Sequence, residues 1–120
     1  MTAPVGPYTP IVRAGDWLVV SGQVGIVDGA LVDGGLDAQL DQAMTNLAAQ
    51  LAAHDATLDD VVKTTVYLRH MSDYARMNER YCAAFGDHRP ARSAVGVAGL
   101  PLGALVEVEA WAFKPLESSP

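Results

Sequence analysis

The chain has 120 residues, half of them apolar and 18% charged, which excludes a disordered or fibrous protein and predicts one globular domain over 1–120. A net charge of −6 excludes the broad basic surface that grips a nucleic-acid backbone. No apolar run approaches the roughly 20 residues of a membrane span. The opening MTAPVGPYTP has neither secretory nor transit-peptide character, so a cytoplasmic protein without membrane attachment is expected.

Trp17 to Ser21 (WLVVS) reads as a short strand after the Ala14-Gly15-Asp16 turn. The QVGIVDGALVDGG that follows suggests further short extended pieces, broken at Gly25, Asp28-Gly29 and Gly34-Gly35. From Leu36 the period changes. Leu36, Leu40, Met44, Leu47 and Leu51 recur at helical spacing, which predicts a helix from about Leu36 to His54. VVKTTVYL reads as a strand with Val62, Thr64, Val66 and Leu68 on one face and Val61, Lys63, Thr65 and Tyr67 on the other. A second helix follows from an N-cap near Ser72 and Asp73, with the stripe Tyr74, Met77, Tyr81 and Phe85, and Gly86 ends it. Cys82, the single cysteine, excludes an intrachain disulfide and reads as a buried, inert thiol on that helix. Met44, Met71 and Met77 read as core or core edge, and the scattered His54, His70 and His88 as surface residues without metal-ligand spacing.

The next strand, RSAVGVA, places Arg92, Ala94, Gly96 and Ala98 on one lean face. The last strand, from about Leu105 to Phe113, has Val106, Val108, Ala110 and Ala112 on one face and Leu105, Glu107, Glu109, Trp111 and Phe113 on the other. The order is therefore βββ-α-β-α-ββ, an α+β fold with two helices on one face of the sheet. The uncovered face of the last strand carries Leu105, Trp111 and Phe113, which predicts an oligomer.

Arg92 and Glu107 are the two charges set within strands of small and apolar residues. A guanidinium forks onto a carboxylate by two parallel hydrogen bonds, and a carboxylate beside it orders and polarises a water. Spacing alone leaves a second reading open, in which Arg92 simply pairs with Glu107 or Glu109. Neither a serine-nucleophile elbow nor a Gly-rich phosphate loop is present.

GPY at 6–8, SGQ at 21–23, VVKTTVYL at 61–68, NERY at 78–81, PARSAV at 90–95 and VEVEAWA at 106–112 occur in this order. Together they resemble the RidA (YjgF) family of reactive intermediate deaminases over nearly the whole chain. The resemblance implies a chorismate-mutase-like fold and a homotrimer with three clefts between subunits. It also implies hydrolysis of 2-imino and enamine acids, such as 2-aminoacrylate, to 2-keto acids and ammonia without a metal or organic cofactor. By the same resemblance, Arg92 binds the substrate carboxylate and Glu107 positions water. Tyr8, Ser21, Gly22, Asn78 and Ala94 line the pocket. Thr9-Pro10 stands where the family commonly has Ser-Gln, and Ala94 where a cysteine is frequent. Two other functions share the cleft or the family: a non-catalytic sensor of small acids, and an endoribonuclease, which the acidic balance disfavours.

Overall fold

A computed structural model describes residues 4–116. The chain enters on β1 (Ile11–Ala14), turns back into β2 (Trp17–Gln23), and then makes a separate two-stranded hairpin, β3 (Ile26–Val27) and β4 (Ala30–Leu31). Asp28 and Gly29 close that hairpin with φ of 53° and 81°. A two-residue turn with positive φ at both central positions matches the twist of its strands, and Asp-Gly supplies it at low cost. Helix α1 (Gly35–Ala52), β5 (Val61–Leu68), α2 (Tyr74–Phe85), β6 (Ala91–Gly96) and β7 (Val106–Phe113) follow. The main sheet runs β1-β2-β7-β5-β6, antiparallel except for the β5–β6 pair, and α2 is the crossover that a parallel pair needs.

This is the mixed α+β arrangement expected, with two corrections to the strands. Four strands precede α1, because Ile11–Ala14 also pairs in the sheet; its four residues show too little alternation to announce themselves. In β5 the register with β7 shifts between Val61 and Lys63, so Val61 turns inward and Val62 outward, the reverse of a simple alternation.

One face of the sheet is covered. Leu40, Leu47 and Leu51 of α1 and Met77, Tyr81 and Phe85 of α2 pack on Leu18, Val66, Leu68, Val106 and Val108. Helical spacing puts those six side chains on inward stripes, and period-two alternation puts the strand residues opposite them. Two polar groups inside this layer are satisfied. Thr64 Oγ1 and Tyr81 Oη share a 2.7 Å hydrogen bond, and Gln39 Oε1 accepts from the Leu105 N–H at 2.8 Å. Asn46 Nδ2 donates to the carbonyls of Val24 and Ile26, tying the segment after β2 to α1. On the solvent side, Arg76 pairs with Asp37, and Arg80 Nη2 with Asp41 at 2.9 Å, linking α2 to α1.

The other face of the sheet is uncovered. Trp17, Trp111 and Phe113 stand on it with relative exposures of 37%, 47% and 43%, and Trp17 meets both other rings edge-on. Leu105, expected on this face, instead packs against the core just before β7 begins. Met44 and Met77 are buried, whereas Met71 is exposed. Cys82 is half-buried rather than buried. His88 is half-buried too, its Nε2 2.7 Å from the Val61 carbonyl oxygen. None of the described helices is long and apolar enough to cross a membrane.

Candidate functional site

Arg92 lies on the edge strand β6, in register with Thr64 of β5, and Thr64 is buried on the helix-covered face. Its side chain therefore runs beside α2. The guanidinium carbon sits 4.9 Å from the ring centre of Tyr81 and 5.6 Å from that of Tyr74. Nη2 donates to Tyr74 Oη at 3.1 Å, and Nη1 approaches Met77 Sδ at 3.6 Å. Two aromatic rings stabilise the cation through their negative faces, yet no carboxylate pairs with it among the described residues. Ala94, two residues on and facing the same way, packs against the core edge.

Glu107 lies on β7, in register with Tyr67 of β5, on the uncovered face. It is thus across the sheet from Arg92. The expectation that Glu107 stands beside Arg92 is corrected for the single chain, and so is the reading in which the two charges pair. The reason is register: Arg92 aligns with inward Thr64, Glu107 with outward Tyr67.

The neighbours of Glu107 come from the irregular end of β2. Pairing between β2 and β7 slips between Val20 and Gln23, which puts Ser21 and Gly22 in the irregularity. A Cβ on Gly22 would fall 2.8 Å from Glu107 Cγ and nearer still to its carboxylate, so glycine is needed for space here. Ser21 Oγ is buried without a hydrogen-bond partner among the described residues. Tyr8, exposed in the N-terminal loop, lines a small cavity with Gly22, Gln23, Val24 and Asn46. Burial, and then the nearby Glu109 charge, hold the Glu107 carboxyl above the ordinary carboxylate range. Glu109 Oε1 in turn accepts from Tyr67 Oη at 2.8 Å, and this hydrogen bond pushes the Tyr67 hydroxyl up.

The expected site residues thus fall into two groups. Tyr8, Ser21 and Gly22 gather at the Glu107 end of β2; Arg92 and Ala94 sit on β6. Asn78 belongs to α2, one turn from Tyr74, with Oδ1 buried and unpartnered among the described residues. Tyr74 and Tyr67 were not singled out from the sequence as site residues. Tyr74 sat in the apolar stripe of its helix, and only the parallel β5–β6 pairing brings the start of α2 against Arg92. The one signal was its place at the first turn of the helix between two strands.

Fold and site together define a class: a small α+β protein with an arginine that has no acidic partner among the described residues on one sheet face, and on the other a glutamate whose carboxyl burial pushes up. The family described as endoribonuclease L-PSP matches residues 1–114. A RutC family protein of Pyrococcus horikoshii is 44% identical over 92% of this chain and 90% of its own length. A mouse protein named 2-iminobutanoate/2-iminopropanoate deaminase is 43% identical, over 93% of this chain and 84% of that one. The crystal structure of RidA from the Antarctic bacterium Psychrobacter sp. PAMC 21119 superposes with a TM-score of 0.89 at 39% identity, covering 92% of this chain and 91% of that one. The chain belongs to this family, that of the RidA and YjgF proteins.

Proposed function

We propose that the protein is a cytoplasmic deaminase that hydrolyses 2-imino acids, and the enamines in equilibrium with them, to 2-keto acids and ammonia. The observation that carries the reading is Arg92: a half-buried guanidinium held by rings and a thioether, with no acidic partner among the described residues. Such a group is set up for a small anion, and a carboxylate fits its fork.

In a 2-imino acid the carboxylate adjoins the electrophilic C=N carbon. Holding the carboxylate on Arg92 fixes that carbon for attack by one water. Glu107, as the carboxylate, takes a proton from the water as its oxygen bonds to carbon and passes it to the imine nitrogen, giving a carbinolamine. It then carries the carbinolamine's hydroxyl proton to nitrogen; the C–N bond breaks, ammonia leaves and the carbonyl forms. A carboxylate whose proton affinity is raised by burial is the stronger base, and it hands the proton on as readily as an acid of matched strength, which suits both transfers. Tyr8, Ser21, Gly22, Asn78 and Ala94 would line the pocket around this pair. None of these steps calls for a metal or an organic cofactor.

Arg92 and Glu107 occupy opposite faces of one sheet, which supports a site whose flanking pair comes from two copies. A homotrimer built through the uncovered aromatic face supplies three such clefts. Mixing inactive Arg92→Ala with inactive Glu107→Gln protein tests this directly. Each variant retains what the other lacks, so random reassembly should restore activity at roughly one quarter of the sites. No recovery after unfolding and refolding together would sink the shared site. Binding of 2-keto acids with no turnover of enzymatically generated 2-aminoacrylate would favour a sensor of small acids instead.

A further inference from the structure

The Arg92–Tyr74 contact has a defined polarity. A guanidinium has only donors, so in the 3.1 Å contact the Tyr74 oxygen accepts and its own proton points away from Arg92. That proton has no acceptor among the described residues, and Tyr74 is exposed at the start of α2. Tyr81, the other ring on Arg92, differs. It is buried, and its hydroxyl is taken up by Thr64. Of the two tyrosines touching the guanidinium, Tyr74 is the one whose hydroxyl is exposed and not engaged with another hydroxyl. A hydroxyl whose oxygen accepts from a cation is also a stronger donor, because hydrogen bonds in a chain polarise one another.

We propose that Tyr74 is a specificity-determining group of the Arg92 site, donating its hydroxyl proton to the carboxylate that Arg92 holds. The proposal rests on the deaminase reading above and deepens it. Nη1 and Nη2 each spend one N–H on Met77 and Tyr74, which leaves three donors on the guanidinium. An ionised carboxylate has about four acceptor positions, so it takes those donors and the phenol together. A neutral carboxamide has one carbonyl oxygen and brings two donors of its own, which face a cation and an O–H. The site therefore selects 2-imino and 2-keto acids over their amides, and Tyr74 supplies part of that selection.

The experiment compares wild-type protein, Tyr74→Phe and Arg92→Ala by calorimetric titration with 2-ketobutyrate and with 2-ketobutyramide, alongside imine hydrolysis. Tyr74→Phe keeps the ring against Arg92 and loses only the hydroxyl. It should weaken 2-ketobutyrate about tenfold, the scale of one hydrogen bond to a charged group, and change amide binding little. KM for the imino acid should rise by a similar factor with kcat nearly unchanged. Arg92→Ala should abolish acid binding. Equal weakening of acid and amide, or a fall in kcat at constant KM, would overturn the assignment by showing a packing role. Wild-type acid affinity in Tyr74→Phe, with Arg92→Ala inactive in binding, removes Tyr74 and leaves the deaminase reading standing. Undiminished binding in Arg92→Ala overturns both.

Discussion

Gly22 shows how a single atom sets the geometry around Glu107. A methyl group there would collide with the carboxylate, and Glu107 would have to leave its place before the backbone moved. Gly22→Ala should therefore cut turnover as Glu107→Gln does, by roughly 10²–10⁴-fold if proton transfer is the task of Glu107. The double variant should be scarcely worse than either alone, because both remove one function. On the proposed mechanism Glu107 also ties activity to pH. Its folded-state pKa is raised, first by burial and then by Glu109, so the folded chain binds this proton more readily than the unfolded one. Stability is then unpenalised below the unfolded carboxylate value near ~4.3 and falls as pH rises through the raised folded value. Glu107→Gln should melt higher than wild type at neutral pH, with the difference vanishing in acid. The acid limb of kcat/KM should stand above the range of an ordinary glutamate, and Glu109→Gln should move it downward while keeping an acceptor for Tyr67.

At the scale of elements, the pairing of β5 with α2 is the join on which Arg92 depends. Thr64 is fully buried and shares its hydroxyl with Tyr81, whose ring supports the guanidinium. Thr64→Val keeps the shape and strands the Tyr81 hydroxyl, which should cost about 1–3 kcal/mol in denaturant unfolding. A loss of acid affinity in the still-folded variant would trace the same chain of contacts outward to Arg92. Periodicity made these elements legible. The leucine stripe of α1 and the Val-Glu alternation of β7 repeat often enough to mark both type and face. The four residues of β1 do not, and the slip in β5 inverted Val61 and Val62 because alternation is counted along one strand while bulges are set by two. Among the candidate site residues, Arg92 and Glu107 stood out as charges within strands, and Tyr8, Ser21, Gly22, Asn78 and Ala94 entered through the resemblance to a family. Their division between two faces was not legible, since it depends on which strands become neighbours.

For the whole molecule, the uncovered face decides the expected state in solution. Trp17, Trp111 and Phe113 form an aromatic cluster that water contacts in the single chain, a surface that subunit association would bury. Light scattering after size exclusion should give about three times the 12.7 kDa of one chain. Trp111→Arg places a charge in that contact and should yield folded monomers without deaminase activity. A monomeric variant with full turnover would show that one chain suffices and that the cleft does not lie between copies.

Trp17 and Trp111 are the only two tryptophans in the sequence, and both stand on that face, with none in the core. Intrinsic fluorescence is therefore a private signal of subunit docking. Emission should shift to the red when assembled protein is diluted into monomers, while the far-ultraviolet circular dichroism of the covered layer holds steady. Unfolding of already separated chains should add a second red shift of its own, because each ring is still more than half covered in the single chain.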